Sequence, residues 1–357
     1  MKNNRHCKAV WEKPLNTLAQ TGTGNYQNDM EKLAIICTGQ GSELGNDRAM
    51  KGRAKKKMIT QKLALCLNDI ANKNGNPERT KSFWNTYYCQ NRVYSMDGRY
   101  YGKFCKNRFC TICSSIRKAD IINRYLPIIK TWAGPYFVTL TVKACKLNNL
   151  KVILKGMMKA MQQIIAKYRK RNLRGKGIKL IGIKSLECNF NAVKRTYNPH
   201  FHLIVANKEI ALTIMTEWLM KWTVHYASGS SQHKRPIKNL ERDLVETIKY
   251  GSKIFTEPDI TKKVKGVGNR DIYAAALYNI FEAMKGLRIF ERFGFDLPLE
   301  SSKKATGARV AENYAEWVYI PQFHDWLNTE NELTLTGYVP SNELLNLLTY
   351  NIRSDVE

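Results

Sequence analysis

Asn198-Pro-His-Phe-His-Leu-Ile-Val-Ala206 is the most informative segment of the chain. Its bulky apolar residues, among them Phe201, Leu203 and Val205, predict a β-strand. Because successive side chains of a strand alternate between two faces, His200 and His202 point the same way. Their imidazoles leave room for one metal ion, and histidine is the commonest metal-ligating side chain. Two hydrogen-bonded histidines on a half-buried sheet remain the alternative at this stage.

Alternating and helical patterns predict the elements around this strand. Strands are predicted over residues 136–142 and 178–188, and the polar connection 189–197 predicts an antiparallel hairpin with a long loop. Helices are predicted over residues 58–72, 114–132, 147–170, 208–226, 238–254 and 271–286. Trp218 and Trp222, four residues apart, indicate core packing. After residue 286 the pattern becomes irregular.

The composition favours a polyanionic partner. Lysine and arginine outnumber aspartate and glutamate by 58 to 30 in 357 residues, which gives a formal charge of +28. Such a surplus suits nucleic acid first and an anionic membrane surface second. No apolar run is long enough to span a bilayer, and residues 1–6 lack the apolar stretch of a signal peptide. We therefore expect a cytoplasmic protein.

Four of the nine cysteines are grouped: Cys89, Cys105, Cys110 and Cys113. A C-x-x-C pair with two earlier cysteines suits a structural zinc ion, which takes four thiolates tetrahedrally. The few aromatic residues between them are too small a set to form a core alone, so metal would hold the segment together. A redox C-x-x-C or unrelated thiols are the alternatives. A catalytic zinc is disfavoured because four protein ligands leave no open position.

Residues 240–253 present a second chemical group on a predicted helix. Residues three and four apart share a helix face, so Glu246, Lys249, Tyr250 and Lys253 lie together, opposite an apolar face that would pack the helix down. A tyrosine needs activation to act as a nucleophile, and either lysine could favour the phenolate. Glu246 could take a proton from water in a later step. The alternative is an ordinary surface face with a salt pair between Glu246 and Lys249.

These motifs, in this order, resemble the replication initiator proteins of small rolling-circle plasmids, within the HUH endonuclease superfamily. The resemblance covers about residues 80–295 and is specific as a combination. The matching stretches are Phe104-Cys-Lys-Asn-Arg-Phe-Cys-Thr-Ile-Cys113, Phe137-Val-Thr-Leu-Thr141, Asn198-Pro-His-Phe-His202 and Lys249-Tyr-Gly-Ser-Lys253. Thr111 departs from the proline that is frequent in the family.

The resemblance implies a role for each site residue. His200 and His202 would hold a divalent Mg or Mn ion that polarises the scissile phosphodiester of single-stranded origin DNA. Tyr250 would form a 5′-phosphotyrosyl link and leave a 3′-OH primer, and Glu246 would support the water-dependent termination step. Glu187 resembles the glutamate of the family's preceding strand and is the candidate third ligand. Its alternative role is to orient a histidine by a hydrogen bond.

The resemblance also implies fold, domains and partners. We expect an α+β fold: an antiparallel sheet with helices on one face, the histidines on a central strand, and a small cysteine-rich zinc module. The expected partners are plasmid origin DNA in single-stranded or hairpin form and a host helicase, with self-association left open and no membrane. The predicted domains are a basic, poorly ordered arm with a short helix (1–78), the zinc module with its helix (79–132), a nicking-joining catalytic domain (133–295) and a C-terminal extension (296–357).

Three alternatives remain at this stage. A conjugative relaxase has similar chemistry but usually places its tyrosine before the histidines, whereas Tyr250 follows them. A transposase of the same superfamily is usually shorter and lacks the cysteine group. A non-enzymatic zinc-containing DNA-binding regulator would also be basic but would not need Tyr250.

Overall fold

The computed structural model describes residues 34–38, 48–96, 99–248, 271–298 and 314–354. Its strands are β1 (Ala34–Thr38), β2 (Arg92–Met96), β3 (Arg99–Gly102), β4 (Tyr136–Thr141), β5 (Gly182–Asn191), β6 (Thr196–Val205), β7 (His233–Pro236), β8 (Ile272–Tyr273), β9 (Phe290–Phe293), β10 (Ala315–Ile320), β11 (Asp325–Asn328) and β12 (Ile352–Arg353). Its helices are α1 (Arg48–Lys73), α2 (Pro77–Tyr87), α3 (Thr111–Ile129), α4 (Leu147–Leu173), α5 (Lys208–Lys221), α6 (Leu240–Ile248), α7 (Ala274–Ala283) and α8 (Asn342–Tyr350).

The predicted α+β class is confirmed, and the chain forms two compact units. Among the described residues, the first unit comprises 34–114, 271–274 and 314–354, and the second comprises 115–248 and 275–298. Each unit has its own five-stranded sheet, in the orders β1-β3-β2-β10-β11 and β7-β4-β6-β5-β9. A short parallel pair, β12 and β8, belongs to the first unit.

The histidine strand, β6, is the central strand of the second unit's sheet, as predicted. All neighbouring strands in this sheet are antiparallel. The register places Glu187 opposite His200, and it places both Ser185 and Thr139 opposite His202. Directly opposite residues of an antiparallel pair share a face. The sheet therefore brings side chains from three strands together on the side of the histidines.

Helices cover both faces of this sheet, which corrects the expectation of helices on one face. On the histidine face, Ile204 packs in one core cluster with Ile121 and Ile129 of α3 and with Leu244 and Ile248 of α6. On the opposite face, the ring of Trp218 in α5 lies 5.8 Å from that of Phe201. Helix α4 packs beside α5 on this second side, since Lys167 of α4 pairs with Glu217 of α5. The sheet is buried on both sides because its central strands are apolar on both faces.

The connection before β6 is shorter than predicted. Strand β5 continues to Asn191 and β6 begins at Thr196, so only residues 192–195 form the turn. The side chain of Asn191 accepts a hydrogen bond from the backbone N–H of Lys194 at 3.0 Å. Phe190 and Tyr197 lie opposite each other with ring centroids 5.0 Å apart. This aromatic cross-strand pair extends the ladder into a segment that reads as a polar loop.

Helix α1 begins at Arg48, within the segment predicted to be an arm, and it contains the basic tract 51–57. Lys57 is fully buried: its Nζ donates hydrogen bonds to the carbonyls of Tyr87 at 2.7 Å and Cys89 at 2.8 Å. A buried ammonium is tolerated when its protons meet acceptors. The tract is therefore not solvated along its whole length.

The C-terminal residues supply the core of the first unit. The expectation of irregular structure after residue 286 was wrong, since β9, β10, β11 and α8 follow. The core cluster joins α1, the β2–β3 hairpin and the C-terminal strands, and its buried members are Met50, Ala54, Val93, Tyr100, Tyr319, Trp326 and Leu335. The indole N–H of Trp326 donates to the carbonyl of Gln90 at 2.7 Å. The aromatic residues of the cysteine segment thus have partners far away in sequence.

The described helices were compared with the requirements for a membrane span. None of them combines the length and the apolar character that a bilayer span requires.

Gly294→Ala is expected to lower the free energy of unfolding by about 3 kcal/mol, because the change adds positive-φ strain to overpacking. Gly294 has φ +79°, and a Cβ placed there would lie 1.9 Å from the carbonyl oxygen of Leu180. Urea denaturation of the purified chain measures the effect.

Gly175→Ala is the matched control. Gly175 also has a positive φ (+68°), but a Cβ there meets nothing within 4 Å. It should cost only about 1 kcal/mol, the strain contribution alone. Equal losses in the two variants would contradict the proposed backbone contact at Gly294.

Candidate active site and cysteine cluster

Glu187, His200 and His202 form a buried group on the central sheet. The Nε2 atoms of both histidines lie 3.6 Å from the same carboxylate oxygen, Oε2 of Glu187. One ligand atom from each residue can be chosen so that all three lie within 4.8 Å of one another. The three residues are 2 to 8% exposed. The residues singled out in the sequence are therefore brought together by the register of β5 and β6.

Both imidazoles are oriented by a contact at the opposite ring nitrogen. Nδ1 of His200 lies 3.0 Å from the carbonyl of Asn198, to which it can donate. Nδ1 of His202 lies 3.2 Å from the hydroxyl of Thr139 on β4. When Nδ1 carries the proton, Nε2 keeps its lone pair and is free to bind a metal. This is the usual arrangement around metal-ligating histidines.

The donor set fits a divalent cation. A distance of 3.6 Å is too long for a strong hydrogen bond. Two ligand atoms that each lie about 2.1 Å from one ion are instead about 3 to 3.5 Å apart at tetrahedral or octahedral angles. Three protein ligands leave further coordination positions open, as catalytic metal sites require. The histidine group can therefore hold an ion that still accepts an oxygen from a substrate.

Helix α6 lies on the histidine face and is fixed there in two ways. Its apolar side, with Leu244 and Ile248 buried, packs against the sheet as its sequence pattern predicted. Asp243 also accepts two hydrogen bonds from the guanidinium of Arg235 on the edge strand β7, at 2.8 and 2.5 Å. These bonds, with the negative charge of Glu246 as a smaller contribution, raise the pKa of Arg235. Glu246 therefore lies near a fixed positive charge.

The helix ends at Ile248 in the described part of the chain. Three of the four residues predicted to share this helix face, Lys249, Tyr250 and Lys253, lie outside the described residues. Glu246 is described, half-buried, on α6. The position of Tyr250 therefore stays a prediction from the sequence.

The four cysteines converge in the first unit. Sγ of Cys113 lies 3.6 Å from both Cys89 and Cys105, and all four sulfur atoms lie within 4.8 Å of one another. Ligand atoms about 2.3 Å from a tetrahedral ion are about 3.8 Å apart, so this spacing fits four thiolates around one ion. Cys105 and Cys113 come from opposite ends of a short segment, and Cys89 follows α2.

The electrostatics of the cluster call for a cation. Hydrogen bonds from Cys110 and Cys113 lower the pKa of Cys105, whereas burial raises the pKa of Cys110 well above its ordinary value. Adjacent thiolates repel one another, so the four thiols cannot ionise together unless a positive charge lies among them. A metal ion bound by the four sulfur atoms would supply that charge and would deprotonate its thiol ligands.

Sequence reasoning missed Thr139, Arg235, Asp243 and Lys57. Thr139 stands in an alternating strand, but nothing in the sequence says which strand pairs with it. The Arg235–Asp243 pair joins an edge strand to a helix, and its two members are ordinary charged residues in the sequence. Lys57 belongs to a basic run that gives no sign of burial. Each of these roles depends on partners that only the tertiary structure identifies.

Thr139→Val should weaken Mn²⁺ binding at the histidine group by about tenfold or more, because His202 loses the contact that orients its ring. Isothermal titration with Mn²⁺ measures the affinity. Thr139→Ser keeps the hydroxyl and should bind Mn²⁺ like the parent. An unchanged affinity in Thr139→Val would show that this hydroxyl does not orient the ligand.

Comparison with known proteins agrees with these features. The sequence matches the Rep_1 family, described as replication protein, over residues 99–294. It is similar to a protein named Protein rep from Staphylococcus aureus, with 29% identity over 168 residues. Proteins of the same name from Streptococcus pneumoniae and Bacillus amyloliquefaciens are 25% and 28% identical over 173 and 144 residues.

The extent of these matches differs among the relatives. They cover 43%, 46% and 39% of this chain, and 71%, 51% and 39% of the three relatives in the same order. No solved structure matches the chain. The family match spans the histidine group, α6 and three of the four cysteines, and it covers more than half of the 357 residues. The chain therefore belongs to the replication protein family, that of the plasmid rolling-circle replication initiators.

Proposed function

We propose that this replication initiator nicks single-stranded origin DNA by tyrosine attack and rejoins strands at termination. The observation that carries the proposal is the buried Glu187–His200–His202 group on the sheet face that α6 covers. Helix α6 runs in sequence directly into Tyr250. A site for a cation and the helix that leads to the nucleophile therefore share one face of one sheet.

Glu187, His200 and His202 are the residues that would hold the ion. Mg²⁺ or Mn²⁺ bound there would polarise the scissile phosphodiester as a Lewis acid. Thr139 and the carbonyl of Asn198 keep both imidazoles aimed at Glu187. The site is preorganised by the backbone of three adjacent strands, so little ordering is needed when the ion binds.

Tyr250 supplies the nucleophile. Its phenolate oxygen attacks phosphorus, the bond from phosphorus to the 3′ oxygen breaks, and a 5′-phosphotyrosyl link and a 3′-OH primer result. The phenol loses its proton to solvent before or during attack, and the departing 3′ oxygen takes up a proton from solvent. Lys249 and Lys253, adjacent on the predicted face, favour the phenolate by their positive charge.

Glu246 serves termination. It takes a proton from water or from an incoming hydroxyl that attacks the phosphotyrosyl link, as the resemblance to single-tyrosine initiators implies. Its place on α6, fixed by the Asp243–Arg235 pair, supports this role.

The partners follow from charge and chemistry. A formal charge of +28 favours the phosphate backbone of origin DNA. A tyrosine that cuts single-stranded DNA requires the origin to be unpaired at the cut, which a hairpin provides. A host helicase and self-association belong to the proposal as functions of the family.

Two rival functions are distinguished by the same site. A conjugative relaxase would place its tyrosine before the histidines, whereas His200 and His202 precede α6. A non-enzymatic DNA-binding regulator would need the cysteine cluster but not the buried histidine group. A covalent protein–DNA product separates the enzyme from the regulator.

Tyr250→Phe should abolish the covalent adduct that forms when the chain is incubated with a single-stranded origin hairpin and Mn²⁺, because a phenyl ring has no oxygen nucleophile. Denaturing gel electrophoresis of end-labelled DNA measures the adduct. Tyr226→Phe is the control, since Tyr226 is an exposed tyrosine of the same unit. An adduct in Tyr250→Phe at the level of the parent protein would contradict the mechanism.

The cysteine cluster is proposed to hold a structural zinc ion. Four thiolates around one ion leave no position for a substrate, so the role is structural. Lys57 also stabilises the site, because its ammonium donates a hydrogen bond to the carbonyl of Cys89. The metal would join α2, the β2–β3 hairpin and the start of α3.

Cys110→Ser should remove about one equivalent of bound zinc and lower the melting temperature, because the energy of binding a structural metal is also folding energy. Mass spectrometry of metal content and thermal unfolding measure the two effects. Cys145→Ser, outside the cluster, is the control and should keep the zinc. A Cys110→Ser protein with full zinc content and parental stability would refute the structural site.

A further inference from the structure

We propose that the outer face of helix α4 binds the phosphate backbone of duplex DNA beside the cleaved strand. The outer face is defined by Lys151, Lys155, Lys159, Arg169 and Lys170, all of them exposed. The inference rests on the proposed function for its substrate, but the surface is separate from the histidine group.

All charged residues in the sequence around α4 are basic. No aspartate or glutamate occurs between Asp120 and Glu187 in the sequence. Within the described part of the chain, the side chains of Lys151, Lys155 and Lys159 form no ion pair or hydrogen bond. Lysines placed for solubility alone are usually interspersed with acids. A surface of one sign attracts a polyanion and raises its local concentration.

The side of α4 that faces α5 differs from the outer face in how its cations are paired. Lys167 pairs with Glu217, and Tyr168 donates a hydrogen bond to the same carboxylate at 3.1 Å. Arg171 lies over the ring of Tyr168 at 5.5 Å. The cations that face α5 therefore have protein partners, whereas the lysine row on the outer face is directed to solvent.

The spacing of the row matches a nucleic acid backbone. Lysines four residues apart stand about 6 Å apart along a helix axis. The distance from Lys151 to Lys170 is then about 28 Å, slightly less than one turn of duplex DNA at 34 Å. A rigid helix with its charges along one face can thus contact several phosphates of one duplex segment.

The position of the face separates it from the cleavage site. Helix α4 lies with α5 on the sheet side of Phe201, and the histidine group lies on the other side with α3 and α6. The sheet and a helix layer, each about 10 Å thick, lie between the two surfaces. One short single strand cannot occupy both, so the α4 face would hold DNA that continues beyond the cut.

The chemistry of the face favours DNA over a membrane. A helix that lies on a lipid surface needs an apolar stripe beside its cations. The exposed large apolar residues of α4 do not form one. Leu147 (43% exposed) and Val152 (69% exposed) lie near its start, and Leu173 (80% exposed) lies about 30 Å beyond Val152 along the axis. The five cations stand without an adjoining apolar face, as in a surface that binds phosphates.

The test is the salt dependence of binding in the full chain carrying Tyr250→Phe, so that DNA is not cut. The triple variant Lys151→Gln, Lys155→Gln, Lys159→Gln is compared with this parent on an origin hairpin with a duplex arm of about 30 base pairs, longer than the face. Each lost phosphate contact lowers the slope of log K against log salt by about 0.9, so three lower it by about 2.7. Between 50 and 200 mM salt the affinity of the parent should therefore fall about 40-fold more than that of the variant.

Two control variants make the result specific. Lys151→Arg, Lys155→Arg, Lys159→Arg keeps the charges and should keep the slope. Lys73→Gln, Lys81→Gln, Lys194→Gln removes three exposed charges from other surfaces and should keep the slope as well. Thermal unfolding checks that each variant is folded.

Several outcomes would overturn the inference. The α4 variant could keep the parental slope, or the control variant could lose as much slope as the α4 variant, which would indicate a diffuse charge effect. A third is unchanged DNA binding with lost affinity for vesicles of anionic phospholipid, which would indicate a lipid surface. Adduct formation by the chain with Tyr250 intact is scored separately, so failure of the nicking proposal and failure of this one remain distinguishable.

Discussion

The antiparallel register between β5 and β6 is the constraint on which the candidate site depends. It sets Glu187 opposite His200, and His202 lies two residues further along β6 on the same face. A slip of one residue would turn the whole strand over and send the carboxylate to the side of α4 and α5. The register is held by the short turn at residues 192–195, and at the other end of β5 by Gly182, where a Cβ would lie 2.7 Å from the carbonyl of Ile204. The three ligand side chains therefore converge because of the pairing between β5 and β6.

The same sheet also positions helix α6, which carries Glu246 and precedes Tyr250 in the sequence. Helix α6 packs its apolar side on the histidine face, and the Arg235–Asp243 pair fixes its first turns to the edge strand. Asp243 is buried, so loss of its partner would leave a charge away from water, which is costly. Helix α6 is therefore held in place as far as Ile248, two residues before Tyr250 in the sequence. The other side of the sheet carries α4, whose basic outer face is turned away from this site.

In the first unit, the cysteine segment is stabilised by distant parts of the chain. A short cysteine segment cannot bury enough surface to fold alone. Its hairpin packs between α1 and strands that come more than two hundred residues later, through Val93, Tyr100 and Trp326. A metal at the four thiols would then stabilise a segment that already has a core. This differs from the expectation that metal alone holds the segment together.

Local patterns in the sequence were enough to predict several features of the candidate sites. Alternation along one strand placed His200 and His202 on one face, four cysteines at close spacing predicted a cluster, and the apolar pattern at Leu244 and Ile248 predicted the packed side of α6. These succeed because they depend on the periods of strands and helices, which are local. Four further features could be read only from the folded chain: Thr139 orients His202, Lys57 is buried, helices cover both faces of the sheet, and C-terminal strands complete the first core. These depend on which distant segments pair, and pairing is set by the total burial and hydrogen bonding of the folded chain, which no short stretch of sequence encodes.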